Sequence, residues 1–325
     1  MQVATAHRAS TALFAAADLG VFTALADGPR TATEVARAVG VPHAEPLRLV
    51  MEMCVTSGLL QRDGDGFANT PTADMFLVRG RPAYIGAGLQ YAADLYPAWG
   101  TLTDLVRSGK ATLPPDPILG DDPAKTRHFV LAMHQRAKGI GSVLPAGVDL
   151  SRCRRLLDVG GGPGTYSMRL IAQTPGLRST ILDLPTVLAV TKEIVASEGF
   201  ADRIDLLPGD YLASDFGTGF DAVLLSGMMH RETAADCQKL LRKAVAALNP
   251  GGQVIVSDVF FDDDRKVSPP FAVQFALHMM LTSDHGSAHA RTEMAAWMQA
   301  AGCSAVEVRP LPPPNPHTLI VGTKS

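Results

Sequence analysis

Two rhythms of apolar and polar residues divide this chain. Up to about residue 145 the apolar positions recur at helical spacing, and from about residue 153 short β-rich runs alternate with helical stretches. The pattern predicts strands at 155–159, 179–182, 204–207, 222–226, 253–258, 305–309 and 318–322. Helices are expected over 165–173, 185–198, 234–248 and 292–301. Alternation of this kind implies a mostly parallel, doubly wound α/β sheet with helices on both faces. No helical pattern separates the last two strands, so a hairpin there is expected to add one antiparallel strand at the sheet edge.

The first region reads as a small module of its own. Thr31 opens a helical stretch through Val39 as a capping residue, Gly40-Val41-Pro42 breaks it, and Glu45 to Ser57 supplies a second helix with Leu47, Val50, Met51, Cys54 and Val55 on one face. Leu59 to Phe67 then reads as a hairpin turning on Asp-Gly pairs. Helices followed by a hairpin give a winged-helix outline. The second helix carries one Arg, at 48, among apolar groups and Glu52, too little to grip phosphates and read base edges. Packing or dimerisation suits it better than DNA binding. We divide the chain into a winged-helix-like domain (1–100), a helical connector contributing to a cleft (101–145) and the α/β domain (146–325). The Pro-rich patch Pro114-Pro115-Asp116-Pro117 is expected to be a loop.

Composition narrows the class. With 46% hydrophobic residues the 325-residue chain can bury a large core, and a net charge of −3 speaks against nucleic acid as a main partner. Cys54, Cys153, Cys237 and Cys303 lie far apart, which fits free thiols in the cytoplasm. The apolar run at 11–17 ends at Asp18 and reads as a first helix, not a signal peptide. No run reaches the ~18–20 residues that cross a bilayer. The histidines are scattered without a metal-ligand spacing, and Asp262-Asp263-Asp264 reads as a solvated turn.

The strongest local signal is Leu156-Leu157-Asp158-Val159-Gly160-Gly161-Gly162-Pro163-Gly164, an apolar strand running into a glycine-rich turn before a helix. Open α/β sheets bind ligands at such strand ends, where glycine lets the backbone approach closely. Asp158 stands two positions before the first glycine, within reach of a cationic amine, and Pro163 removes an N–H that a dinucleotide loop would direct at pyrophosphate. Both details favour S-adenosylmethionine over a nicotinamide cofactor. Asp183 closes the second strand about 20 residues on, where a carboxylate can accept from ribose hydroxyls. Gly209-Asp210-Tyr211 follows the third strand, with Asp210 placed for the adenine amine and Tyr211 for its ring.

These motifs, in this order, resemble the plant-type small-molecule O-methyltransferases, which include bacterial enzymes of antibiotic and pigment biosynthesis. The likeness spans Asp18-Leu19-Gly20-Val21-Phe22 through Leu60, the glycine loop, Asp183-Leu184-Pro185 and Gly209-Asp210. It implies a Rossmann-like seven-stranded methyltransferase domain, S-adenosylmethionine as cofactor with Gly160, Gly162, Gly209 and Ser226 among its contacts, no metal, and a homodimer formed through the N-terminal domain. His230, in Leu225-Ser226-Gly227-Met228-Met229-His230, falls on the family's general base, and Asp258 on the first of two acidic residues that hold it.

Two departures matter. Arg231 replaces an acid after the His, and the second acidic position is Ala290, with His289 and Glu293 nearby but not equivalent. His230 is therefore expected to work with Asp258 alone on a phenolic hydroxyl of a small aromatic or polyketide-like metabolite. C-, N- or S-methylation, or a degenerate cofactor-binding protein, are the alternatives. Phe275, His278 and Met279, with Phe271 and Met280, recur at helical spacing and form the expected substrate wall, joined by Trp99, Tyr96, Met133 and His134 from earlier in the chain.

Overall fold

The computed structural model describes residues 2–113, 122–283, 285–312 and 315–325, so the Pro-rich patch lies outside the described residues. The chain divides into two compact units, Met1–Pro97 and Ala98–Ser325. The stretch read from sequence as a separate connector belongs to the second.

The first unit packs the helices His7–Leu19, Ala32–Ala38 and Ala44–Thr56 with a hairpin of Leu60–Asp63 and Gly66–Asn69. Thr31 does cap its helix: its hydroxyl accepts the Glu34 N–H, and Glu34 accepts the Thr31 N–H at 2.8 Å. Phe22, Val35, Met51 and Phe67 are fully buried among these elements. Arg48 is held by Glu45 at 2.7 Å and Glu52 at 3.2 Å, which leaves the second helix without a free cation for a phosphate.

The sheet of the second unit comprises β1 (Arg155–Val159), β2 (Arg178–Asp183), β3 (Ile204–Pro208), β4 (Phe220–Ser226), β5 (Leu248–Asp258), β6 (Cys303–Pro310) and β7 (Thr318–Lys324). Their order across the sheet is β6-β7-β5-β4-β1-β2-β3. Helices α1 (Pro123–Gly141), α2 (Thr165–Gln173) and α3 (Pro185–Ser197) contribute to one core, with Val130, Ile171 and Ile194 buried against Leu156 and Ile181. Helices α4 (Ala234–Ala247) and α6 (Arg291–Ala300) contribute to the other, with Leu240, Leu241, Met294 and Met298 around Leu157 and Val159. Helix α5 (Pro270–Thr282) packs on the short parallel pair Phe260–Phe261 and His289–Ala290.

One expectation is corrected. The antiparallel strand is not at the edge: β7 lies second from it, antiparallel to both β6 and β5. Strand β6 follows helix α6 as a crossover, so it runs parallel to the sheet and leaves a gap of one strand. The returning strand fills that gap. Composition agrees, because Leu319, Ile320 and Val321 are buried whereas most of β6 is exposed.

Candidate active site

A cavity opens at the carboxyl ends of the parallel strands, where such sheets bind ligands. Its first wall is main chain: Gly160, Gly161, Gly162 and Pro163 line it directly. Gly162 has φ +51°, a conformation that side chains strain. A Cβ on Gly161 would lie 2.8 Å from Cγ of Asp158 and 2.9 Å from Ile181, so the turn has no room underneath.

Asp158 explains that crowding. Its side chain alternates with Leu157 and Val159 and so points to the α2 side of the sheet. It is fully buried, with Oδ2 accepting from the Ser167 hydroxyl at 2.6 Å and Oδ1 without a partner. Burial pushes the carboxyl up to about 7 against the Ser167 hydrogen bond, and the nearby Asp183 adds to the rise. The carboxylate expected to meet the cofactor amine is thus located beneath the loop, outside the cavity lining.

Asp183 lines the cavity and braces the loop: it accepts the Gly162 N–H at 2.8 Å and the Leu184 N–H at 2.7 Å. Burial raises its pKa; the two N–H groups and the Arg231 charge oppose the rise. Tyr211 also lines the cavity and donates to Glu232 at 2.7 Å. Gly209 and Asp210 do not. Gly209 donates its N–H to the Asp183 carbonyl, and Asp210 is exposed, its carboxylate accepting the Leu212 N–H at 2.8 Å. Ser226 lines the cavity with a buried hydroxyl that has no partner within strict hydrogen-bond geometry among the described residues, the Tyr166 hydroxyl being its neighbour.

On the opposite side, β4 ends in a short turn, Met229–Arg231, that carries His230 into the cavity. Nδ1 of His230 is 2.8 Å from Oδ1 of Asp258, and the His230 N–H donates to Oδ2 at 3.2 Å. Asp258 ends β5 and is 1% exposed. Burial alone would raise its pKa; the charge and hydrogen bond of His230, then His317, outweigh that and hold the carboxyl at about 2. An ionised carboxylate only accepts, so Nδ1 carries the proton in that contact and Nε2 is the ring nitrogen left for a substrate.

The second acidic position is empty of polar groups: Ala290 is fully buried beside Phe261 and Met279. His289 turns away from His230, with Nε2 3.2 Å from the carbonyls of Met229 and Glu232. Glu293 accepts the Ala290 N–H at 2.8 Å and pairs with Lys266 at 3.1 Å. Among the described residues no cluster of His, Cys, Asp or Glu could hold a metal ion.

The profile of the O-methyltransferase domain matches residues 99–304, and that of the O-methyltransferase dimerisation domain matches residues 1–79. The chain belongs to the O-methyltransferase family. It is 33% identical to the 3-hydroxy-5-methyl-1-naphthoate 3-O-methyltransferase of Streptomyces sahachiroi, over 96% of this chain and 91% of that protein. It is 31% identical to the tetracenomycin polyketide synthesis 8-O-methyl transferase TcmO of Streptomyces glaucescens, over 100% of this chain and 96% of that one. An O-methyltransferase family protein of Burkholderia thailandensis has the same fold, with a TM-score of 0.87 at 26% identity, over 100% of this chain and 96% of that one.

The methyl donor of this O-methyltransferase is S-adenosylmethionine, and the cavity fits it. The glycine turn leaves main chain bare on one side, the Asp183 oxygens keep acceptor capacity for ribose hydroxyls, and the buried Ser226 hydroxyl lines the wall. Among the lining residues not found from sequence are Arg136 and His317. Arg136 stands on one face of α1 with Phe129 and Met133, and no hydrogen bond or ion pair engages it among the described residues. Its signal is the helical spacing from Met133. His317 precedes β7 and lines the cavity.

Of the expected acceptor contacts, Met133 lines the cavity. Phe275 presents to the His230 ring at 4.8 Å and 80°, and His278 and Trp99 continue the row at centroid spacings of 6.4 and 6.3 Å. Phe271 stacks on Phe275, and Met280 is half exposed. Met279 packs in the apolar cluster with Val259, Phe261 and Phe275, one turn from Phe275 on the same face of α5. His134 bonds Thr165 at 2.8 Å and is absent from the cavity lining. Tyr96 belongs to the first unit, edge-on to Phe14.

Proposed function

We propose that this methyltransferase acts on a phenolic hydroxyl of a small aromatic, polyketide-like acceptor, with His230 as general base. The observation that carries the reading is the 2.8 Å contact between Nδ1 of His230 and a buried, ionised Asp258, on a wall facing the glycine turn. Relatives named for a hydroxynaphthoate and for tetracenomycin support an aromatic acceptor, as does the row of rings behind His230.

S-adenosylmethionine supplies a methyl group activated by its sulfonium. Asp183 is suited to the ribose hydroxyls, Arg136 to the methionyl carboxylate, and Tyr211 with Met228 to the adenine face. Asp258 fixes the imidazole through Nδ1–H, so Nε2 of His230 accepts the phenol proton as the oxygen becomes nucleophilic. The ionised Asp258 then stabilises the imidazolium that results. One carboxylate suffices for both duties, which makes the missing acid at Ala290 compatible with turnover. We assign a homodimer assembled through residues 1–79, and a reducing, cytoplasmic setting on the strength of four free, buried cysteines.

The test is His230→Ala assayed with a panel of naphthols, alongside calorimetry with S-adenosylhomocysteine. Turnover is expected to fall about 10²–10⁴-fold with product affinity unchanged. An unaltered rate removes His230 from the role.

A further inference from the structure

His317 takes no part in the chemistry above. Thr318, the residue after it, pairs with Asp258 across β7 and β5, so His317 stands at the ligand-binding end of the sheet. Its ring is 4% exposed yet lines the same cavity as His230. Nδ1 lies 3.1 Å from the hydroxyl of the fully buried Ser257, while Nε2 has no hydrogen-bond partner among the described residues. Gly227 keeps the approach open, since even a Cβ there would stop 4.0 Å short of Cε1 of His317. Burial drives the imidazole down to about 4 against the pull of Asp258, and the charges of Arg136 and His230 reinforce the drop. The ring is therefore neutral at working pH, able to donate or accept through Nε2.

The strand order decides what it faces. The glycine turn and Asp183 follow β1 and β2, whereas His230, Asp258 and His317 belong to β4, β5 and β7 on the other side of the cavity. Across the sheet β7 lies beyond β4 and β5, farther from the glycine turn than Ser226 and Met228, which the cofactor reading takes up, and this puts His317 on the acceptor's side. We propose that His317 is an acceptor-positioning residue whose Nε2 binds a second oxygen function of the aromatic acceptor while His230 takes the proton from the first. The inference rests on His230 as base, and it narrows the acceptor class to hydroxyarenes bearing another hydroxyl or a carbonyl. A site built around a buried polar atom discriminates against the analogue that leaves that atom unpaired.

The full-length protein is assayed with S-adenosylmethionine on 2,3-dihydroxynaphthalene and on 2-naphthol. In the wild type kcat/KM for the diol is expected to exceed that for 2-naphthol by about tenfold or more. His317→Phe keeps the ring shape and removes the polar atoms; it should bring the ratio to within about twofold of unity through KM for the diol, leaving S-adenosylhomocysteine affinity within about twofold of wild type. His317→Gln should restore part of the preference, and it carries the test if the Phe variant does not fold. An unchanged ratio in the folded variant overturns the proposal, as does a loss of S-adenosylhomocysteine affinity, which would move His317 to the cofactor. A wild type that methylates neither naphthol counts instead against the phenolic reading beneath it.

Discussion

On the β1–β3 side, much of the cavity wall is main chain, Gly160 through Pro163, braced by the Asp183 carboxylate. On the β4–β7 side the polar lining includes Ser226, His230, Arg231 and His317, with Asp258 behind His230, brought together from three separated segments. Under the proposed reading the first side holds the methyl donor and the second the acceptor, so an acceptor preference can alter without disturbing the donor. Ala290 at the second acidic position, beside an intact His230–Asp258 contact, is compatible with such a division.

Substitutions that act on one side only will sharpen this contrast. The largest effect is expected from His230→Ala, with kcat down about 10²–10⁴-fold and calorimetric affinity for S-adenosylhomocysteine unchanged; a matching fall in affinity would merge the two sides.

Next comes a pair of opposed pH dependences. Asp158 is raised to about 7 by burial, so the folded state holds its proton longer than the unfolded state and stability falls as pH rises from about 4 to 7. His317 is lowered to about 4, so the unfolded state binds the proton first and stability falls as pH drops from about 6.5 to 4. Each shift acts on stability at about 1.4 kcal/mol per unit, and between about pH 4 and 6.5 the two oppose one another. Urea titrations should show Asp158→Asn gaining stability with rising pH and His317→Gln losing it. Parallel slopes in the two variants would refute both assignments.

A smaller change follows from Gly161→Ala, whose added methyl group meets Asp158 under the turn. Affinity for S-adenosylhomocysteine should weaken about 10–100-fold while residual turnover keeps the wild-type acceptor preference. Smallest is Arg136→Met, with about a tenfold loss of cofactor affinity that high salt does not mimic; no loss would leave that cation to the acceptor side.

Legibility in the sequence follows the same division. The glycine turn, Asp183 and all seven strands were readable because each is a contiguous run with its own period. Asp158 was read towards the cofactor from its proximity to the turn, whereas strand alternation sets it opposite Leu157 and Val159, beneath the loop. Asp210 looked placed for adenine by its strand end, yet it is exposed and ties its own turn. His230 and Asp258 were found through a family likeness, not through spacing. His317 was not found, because its nearness to Ser257 and Asp258 exists only through the register of β7 on β5, and the strand order at that edge was itself misjudged. Met279 shows the limit of helical spacing: it names a face, and the face that carries Phe275 to His230 also packs the core around Val259.

The interior position of β7 has a bearing on biogenesis. A ribosome delivers β6 before β7, yet β6 makes no ladder with β5 and can join the sheet only through the strand still to come. Until residues 318–324 emerge, β5 keeps one side unpaired, an open seam inviting mispairing in a crowded cell. The nascent chain therefore carries β6 as an unattached strand until β7 arrives to join it to the sheet.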